Sequence, residues 1–408
     1  METLLVTGKG ICLAFPSEED YDKCMKDPCA FRQFVTDMYR QHPELFPRQM
    51  AQGFTFHSFT PFSRKQDGFR MRRIELADGE VYQIRPSFMM PYLIARTDAV
   101  EKPLFLCTWG VPFWALTYVF GHNDMFWYRA YISLGRNSIV GSTVKDPVRL
   151  PEHLLADEKH TRINGRKTYV ATTVANECIL GVGLADNAGT EALTKSYGHF
   201  KEEACNLKPD YRPKSVNTDG WEHTQRAWKD LFPGITVILC FLHAFLNIRD
   251  RCKRHKELLR SIAEKVWDIY HAETVAQFSQ RIRRLRQWAG TIKIDPVREK
   301  VLRLCDKAPQ FKKAFSHPRA YRTSNALDRL MNHQDRILYS IQYFHGHATS
   351  ALLYLRSMAM IWNFHPYSTR ARHEGLRASP FEELNGFQYH SNWLQNMLVA
   401  ASLRGWRT

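Results

Sequence analysis

The chain of 408 residues carries a formal charge of +16, has a sequence pI of about 9.4 and is 13% aromatic. This composition favours a polyanionic partner, with nucleic acid first. The nine cysteines form no CxxC pair, which argues against a disulfide framework and a structural zinc site and indicates reduced thiols. We predict two or three domains and a cytoplasmic location, associated with the nucleoid if the protein is prokaryotic.

The N-terminal region, residues 1–98, has the weakest pattern; we predict that it is mixed and belongs to an N-terminal DNA-binding region that is mainly helical. Residues 18–39 show an apolar stripe at helical spacing, and residues 70–84 predict a β-ribbon that turns at Ala77-Asp78-Gly79. The arginines of this ribbon either contact phosphates or simply face solvent. The first ten residues lack the basic leader and cleavage site of a secretory signal.

Residues 99–150 predict three helices: one ends near Gly121, one ends at Leu134 and one begins near Ser138. Residues 103–121 are uncharged and near membrane-spanning length, but Gly110 and Pro112 interrupt them, so we predict a buried helix and no membrane span. The turn before Ser138 suits a helix-turn-helix with residues 138–145 as its recognition helix. A helical hairpin without DNA-binding function is the alternative. The predicted DNA contacts of this segment are Arg136 and Lys145.

Residues 151–250 change to closely spaced strands. Runs at 153–156, 168–174 and 178–185 predict an antiparallel meander; a helix over 192–205, the strand Ser215–Thr218, a further helix and a strand over 235–240 follow. The order βββαβαβ is that of a ribonuclease-H-like fold, an α/β core with a mixed five-stranded sheet flanked by helices. Its first strand lies beside its fourth, so Asp157 and Asp219, at the ends of these strands, are predicted to be neighbours.

Residues 251–320 are predicted to form a basic, all-helical insertion. Between residues 241 and 320 there are 19 Lys and Arg against 8 Asp and Glu, more than half of the excess charge of the chain. This high density of positive charge favours a surface that contacts the phosphates of a nucleic acid, although runs of charged residues also occur on ordinary solvent-exposed faces. The predicted DNA-binding residues are Arg251, Lys253, Arg254, Arg281, Arg283, Arg284 and Arg286. The core is expected to resume over 321–365, where a helix begins near Ser324 and extends towards Met360, before a basic C-terminal tail, 366–408.

Phosphodiester chemistry with two divalent ions requires carboxylates that converge from different elements. Asp157 and Asp219 provide two of them, and Mg²⁺ prefers such oxygen ligands. Ser324 or Asn325 can cap a helix whose first turn presents Asp328 as the third. Asp335 lies seven residues further along and is the competing choice; its expected role is a surface ion pair or a hydrogen bond within the helical layer.

The segments LLADEKH, NTDGW, CFLH and TSNALDR, in that order, resemble the catalytic motifs of Mutator-like transposases and their bacterial insertion-sequence relatives. The resemblance covers roughly residues 150–350. It implies a ribonuclease-H-like catalytic domain with the metal-binding triad Asp157, Asp219 and Asp328, and a Cys-x-x-His element, Cys240 and His243. For this last pair, a buried thiol and a hydrogen-bonded histidine without catalytic function is the alternative.

Two positions depart from the family pattern. Asp328 stands where the family usually has Glu, which shortens the reach of the side chain by one methylene. Glu158 follows the first acid where a small residue is common, so a fourth carboxylate is expected near the site.

The resemblance implies a DDE/D-type DNA transposase that uses two Mg²⁺ (or Mn²⁺) ions. Its expected partner is double-stranded DNA, both transposon ends and target, on which it works as a homo-oligomer. The alternatives are a nuclease of the same fold that does not join strands, and a domesticated DNA-binding protein without catalysis.

Overall fold

The structure is a computed structural model that describes residues 8–61 and 69–407. The strands of its first sheet are β1 (Gly10–Leu13), β2 (Phe54–Phe59), β3 (Arg72–Leu76) and β4 (Val81–Pro86). They lie in the order β1-β4-β3-β2, with β1 parallel to β4 and the other pairs antiparallel. The predicted β-ribbon is confirmed as β3 and β4. The N-terminal region is therefore mixed and not mainly helical.

The single helix expected over 18–39 is two helices, α1 (Glu18–Lys26) and α2 (Pro28–Gln41). Pro28 cannot continue α1, because proline has no backbone N–H and is tolerated only in the first turn of a helix. The Asp27 side chain caps α2 by accepting hydrogen bonds from the backbone N–H groups of Cys29 and Ala30.

Four helices follow: α3 (Thr97–Thr108), α4 (Phe113–Phe120), α5 (Asp124–Leu134) and α6 (Ile139–Thr143). Gly110, with a φ of +84°, separates α3 from α4 within the uncharged stretch. Within the described residues, no helix has the length and apolar character needed to cross a membrane. The predicted buried helix is confirmed only for α3, since α4 leaves Trp114 65% and Tyr118 87% exposed.

Helix α6 corrects the helix-turn-helix prediction. All five of its residues are buried. A Cβ atom at Gly141 would lie only 1.7 Å from the Gly405 carbonyl oxygen, so the C-terminal segment packs directly against this helix. A recognition helix must present a free face to a DNA groove. The assignment of that role to residues 138–145 is therefore wrong for this structure.

The second sheet consists of β5 (His153–Ile163), β6 (Arg166–Ala175), β7 (Cys178–Ala185), β8 (Ser215–Thr218) and β9 (Thr236–Leu239). Its order is β7-β6-β5-β8-β9, with β5 parallel to β8 and β8 parallel to β9. The first of these strands therefore lies beside the fourth, as predicted. Strand β5 does not end at Ala156, however, and continues as a long hairpin with β6. Its pairing with β8 ends at Leu155 and Asn217.

Helices cover both faces of this sheet. Helices α7 (Thr190–Leu207) and α8 (Glu222–Leu231) pack on the face of β5 that carries Leu154 and Ala156. Leu155, which points to the opposite face, belongs to the larger core that the N-terminal sheet shares with the later helices. Strands buried on both faces need apolar residues at successive positions.

The next segment of the chain comprises α9 (Phe241–Cys252), α10 (Lys256–Tyr270), α11 (Val275–Ala289), α12 (Asp295–Asp306) and α13 (Ala308–Lys312); α10 to α13 lie within the predicted insertion, 251–320, whereas α9 lies almost wholly before it. It has a hydrophobic core of its own, built around Ile262, Val266 and Phe278, which are fully buried. The helical secondary structure predicted for this segment is thus confirmed.

The chain then forms α14 (Asn325–Ser340), α15 (Ala348–Phe364), α16 (Thr369–His373), α17 (Pro380–Asn385) and α18 (Trp393–Ala400). The helix that begins near Ser324 ends at Ser340 and does not continue towards Met360, which lies in the separate helix α15. The C-terminal tail includes α18, of which seven of the eight residues are buried.

Candidate active site

Three half-buried side chains converge beside strand β5. The potential metal-ligating atoms of Asp157, His243 and Asp328 all lie within 4.8 Å of one another. Asp157 follows the part of β5 that pairs with β8, His243 lies in the first turn of α9, and Asp328 lies in the first turn of α14. The structure therefore brings together two of the three predicted acids and the histidine of the Cys-x-x-His element.

Asp219, the remaining predicted acid, lies next to this cluster. It directly follows β8, two residues beyond Asn217, and so occupies the same level on β8 as Asp157 on β5. Its Oδ1 accepts a hydrogen bond of 2.8 Å from the Trp221 N–H, across Gly220 with a φ of +98°. This turn, which requires a glycine at its centre, fixes Asp219 at the carboxyl end of β8.

The burial of Asp157 and the charges of the neighbouring acids shift its pKa. Burial, and after it the charge of Asp219, raises the pKa of Asp157 to about 6, while the hydrogen bond from the Glu158 N–H opposes this rise. Asp328 adds a smaller contribution of the same sign. The negative charges of carboxylates held this close together repel one another, and a bound cation reduces this repulsion.

Ser324 connects the cluster to Cys240. Its hydroxyl lies 3.2 Å from the Cys240 Sγ, 3.4 Å from the His243 Nδ1, and 3.2 and 3.3 Å from the two carboxylate oxygens of Asp328. Ser324 precedes α14, but its side chain makes no capping bond to the backbone. The Ser324 hydroxyl, which was predicted to cap the backbone of α14, contacts the Asp328 carboxylate instead.

Cys240 and His243 interact through a hydrogen bond between their side chains. Burial opposes ionisation of the thiol, but hydrogen bonds with His243 and Ser324 lower the pKa of Cys240 below its ordinary value. The same hydrogen bond with Cys240 raises the pKa of His243 to about 9, against the effect of burial. An imidazole must be neutral to bind a metal ion, so His243 has to release its proton before it can serve as a ligand.

Glu158 faces away from the cluster. Its Oε1 accepts hydrogen bonds from the Tyr197 hydroxyl (2.8 Å) and the Thr224 hydroxyl (2.7 Å), and burial raises its pKa to about 7. Successive residues of a strand point to opposite faces, so Glu158 reaches α7 and α8 while Asp157 reaches α14. It anchors the start of α8, which follows the Asp219 turn. Nothing in the sequence indicated Tyr197 or Thr224, which come from distant parts of the chain.

The structure places Asp328, and not Asp335, beside Asp157. Asp335 forms an ion pair with Lys159, with an Nζ–Oδ2 distance of 2.6 Å. This is the surface ion pair expected for Asp335 from the sequence.

Four of the predicted DNA-binding residues are already engaged. Lys145 is buried and donates hydrogen bonds to the carbonyl oxygens of Gly141 and Ala400; burial, followed by the charge of Arg407, lowers its pKa to about 7. Its assignment as a DNA contact is wrong for this structure. The other three are surface cations with acidic partners: Lys253 with Asp250, Arg281 with Asp268, and Arg286 with Asp306.

The remaining predicted cations are exposed. Arg136 lies over the ring of Tyr92 at 4.9 Å from its centroid. Among residues 8–61 and 69–407, no ion pair involves the four insertion residues Arg251, Arg254, Arg283 and Arg284. These four therefore carry the uncompensated charge of the predicted set within the insertion.

No protein-family model matches the sequence, and no curated protein matches it either.

Proposed function

We propose that this protein is a metal-dependent DNA transposase whose second sheet and flanking helices form a ribonuclease-H-like catalytic core. The observation that carries the proposal is the convergence of Asp157, Asp328 and His243 near the carboxyl end of strand β8, which Asp219 directly follows. Open α/β sheets bind their ligands at the carboxyl ends of parallel strands, where a crevice forms between neighbouring connections. The strand order and the helical segment between Asp219 and Asp328 further support this core.

The donor set fits divalent cations. Asp157 and Asp328 offer hard oxygen ligands within reach of one another, and Asp219 adds a third carboxylate from the adjacent strand. An imidazole ligand suits Mn²⁺ better than Mg²⁺, so participation of His243 would favour Mn²⁺. Two such ions, when bound, supply stabilisation of the attacking and leaving oxygens of a phosphodiester.

The side chains of the protein have distinct tasks in this proposal. Asp157, Asp219 and Asp328 would hold the cations, and Glu158 positions the Asp219 turn through Thr224. The exposed arginines of the insertion, Arg251, Arg254, Arg283 and Arg284, contact phosphates without reading sequence, because phosphate contacts carry no base information.

The test is a cleavage and joining assay with DNA that carries the ends of the element encoding the protein. Purified protein is incubated with labelled end fragments and a supercoiled target plasmid, with Mg²⁺, with Mn²⁺ or with EDTA. We expect metal-dependent nicks at the ends and covalent end–target products. Asp157→Asn should abolish both products and retain DNA binding.

Each alternative outcome has a defined meaning. Cleavage without joined products would indicate that the protein is a nuclease of the same fold and not a transposase. Binding of the ends without cleavage in either metal would indicate a DNA-binding protein that has lost catalysis. Equal loss of binding and cleavage in Asp157→Asn would mean that this acid maintains the fold.

A further inference from the structure

Three aromatic rings form a row that begins beside the Asp219 turn and lies on the face of β5 opposite to Asp157. The Trp221 ring lies 6.0 Å from the ring of Tyr169, which lies 4.7 Å from the ring of His160, measured between centroids. Tyr169 and His160 are directly opposite each other in the β5–β6 hairpin. Trp221 is the residue whose N–H donates to Asp219, so the row starts at the edge of the site.

The row is open to solvent. His160 is exposed, and Tyr169 and Trp221 are half-buried against the core under α7 and α8. Tyr169 and Trp221 thus each have one part packed against the core and one part exposed to solvent. Aromatic rings held in this way are suited to stacking with a planar ligand, because little conformational freedom is lost on binding.

The same hairpin is strongly basic. Residues 159–167 contain four Lys and Arg and no Asp or Glu. Lys167 lies over the Tyr169 ring at 5.1 Å from its centroid. In the part of the chain that the structure describes, no carboxylate pairs with Arg162, Arg166 or Lys167, and all three are exposed. Lys159, in contrast, is neutralised by Asp335.

We propose that the far half of the β5–β6 hairpin, residues 158–169, together with Trp221, binds an unpaired DNA strand next to the cleavage site. Bases stack on the row His160–Tyr169–Trp221, and phosphates contact Arg162, Arg166 and Lys167. This inference rests on the proposed function, and it adds that the strand leaving the acidic cluster is single-stranded there.

Single-stranded substrate follows from the chemistry of the row. In duplex DNA the faces of the bases are stacked on one another and present no surface to a protein ring, so an aromatic row is useful only where bases are unstacked. A combination of stacking rings and interleaved cations is what sequence-independent binding of single strands requires. A surface for duplex DNA would need cations alone.

The experiment measures binding of the full chain, in EDTA, to a labelled twelve-nucleotide oligo(dT) and to a duplex of the same length. Tyr169→Leu removes the central ring, Tyr169→Phe retains it, and Tyr118→Leu removes an exposed ring on α4 as the matched control. We expect Tyr169→Leu to weaken oligo(dT) binding about tenfold, since stacking on one ring contributes about 1–3 kcal/mol per base. Duplex binding and the two control variants should be nearly unaffected.

A second variant tests the hairpin site without changing Tyr169, whose buried part also contributes to packing. Arg162→Gln combined with Arg166→Gln changes only exposed side chains near the hairpin turn. It should lower the slope of log affinity against log salt for oligo(dT) by about 1.4, or about 0.7 for each lost phosphate contact. Unchanged oligo(dT) affinity in this variant and in Tyr169→Leu would overturn the inference. Equal losses for oligo(dT) and duplex would overturn it in favour of a duplex-binding face.

The failure of this inference and that of the proposed function are distinguishable, because binding is measured without metal and without cleavage. Wild-type protein that cuts and joins DNA ends while the hairpin variants bind oligo(dT) normally would overturn the hairpin site alone. Ring-dependent oligo(dT) binding by a protein that never cuts would support the hairpin site and overturn the proposed function.

Discussion

The Lys159 ammonium lies 2.6 Å from a carboxylate oxygen of Asp335, and this ion pair connects strand β5 to helix α14. Lys159 lies two residues after Asp157 on β5 and therefore on the same face of the strand. Asp328 lies seven residues before Asp335, about two helical turns, and therefore on the same face of α14. The contact that engages Asp335 thus also aligns Asp328 with Asp157.

We predict that Asp328→Asn abolishes DNA cleavage, whereas Asp335→Asn retains most of it. The potential ligand atoms of Asp328 lie within 4.8 Å of those of Asp157 and His243, whereas Asp335 forms an ion pair with Lys159. Initial cleavage rates of the two variants at saturating metal provide the measurement. Thermal unfolding is the control: loss of the half-exposed Asp335 pair should cost no more than about 1 kcal/mol. Cleavage by Asp328→Asn at the wild-type rate would remove this residue from the metal site.

The contribution of Asp157 and Glu158 to the stability of the metal-free protein should fall as the pH rises from about 4 to about 7. The native pKa values of Asp157 and Glu158 are raised to about 6 and about 7, from ordinary values of 3.8 and 4.5. Over this range these two carboxyls bind more protons in the native state than in the unfolded state, so their contribution to the free energy of unfolding falls with rising pH. Thermal unfolding of the wild type and of Asp157→Asn in EDTA measures the Asp157 part of this contribution as the difference between the two pH profiles. An unchanged slope in that variant would contradict the shift assigned to Asp157.

Mn²⁺ should raise the melting temperature more at about pH 7.5 than at about pH 5. A metal ion can bind Asp157 only after this carboxyl has lost its proton, so protonation competes with binding. Thermal shift in the absence of DNA measures the effect without recourse to catalysis. Asp335→Asn should retain it and Asp328→Asn should lose most of it. An equal shift in both variants would place the ion elsewhere.

The arginines of helix α11 should divide into two pairs. Arg283→Gln with Arg284→Gln removes exposed charges that have no acidic partner in the described chain, whereas Arg281 and Arg286 are paired with Asp268 and Asp306. We expect the first double variant to lower the salt slope of duplex binding by about two, and the second by clearly less. A fluorescence anisotropy titration over several salt concentrations measures the slopes. Equal slopes would show that the ion pairs open on DNA.

Glu203 should be important for stability and not for DNA binding. Its carboxylate is buried, lies 2.6 Å from the Arg356 guanidinium, and accepts hydrogen bonds from the Ser138 hydroxyl and the Val140 N–H. Glu203→Ala leaves the Arg356 charge buried without its partner, which costs about 3–5 kcal/mol. Chemical denaturation measures the loss, with exposed Glu202→Ala as the control. A loss below about 1 kcal/mol would mean that Arg356 finds other partners.

The parts of the fold that the sequence predicts well are those with strong local patterns. The strand Ser215–Thr218 and the helix α7 were anticipated nearly to the residue, and the strand order places Asp157 beside Asp219 as expected. β-branched runs and a helical stripe are set by neighbours along the chain, so they are visible without tertiary information.

The errors arise where distant segments decide the environment. Lys145 resembles a surface cation by composition, but Gly141 and Ala400, the latter 255 residues away, supply the carbonyl groups that enclose it. The inclusion of His243 in the acidic cluster likewise depends on the path of α9 relative to α14. No periodicity in the sequence encodes such contacts.

The helical insertion leaves and rejoins the core at a single place. Cys240, the last residue before it, contacts Ser324, and the Phe241 N–H donates a hydrogen bond of 3.1 Å to the Arg322 carbonyl oxygen. A segment whose two ends are tied together like this can lengthen, shorten or be exchanged over evolution while the distance between Asp219 and Asp328 stays constant. Under the proposed function, this segment is thus free to change the DNA that it contacts without a change in the acidic cluster at its base.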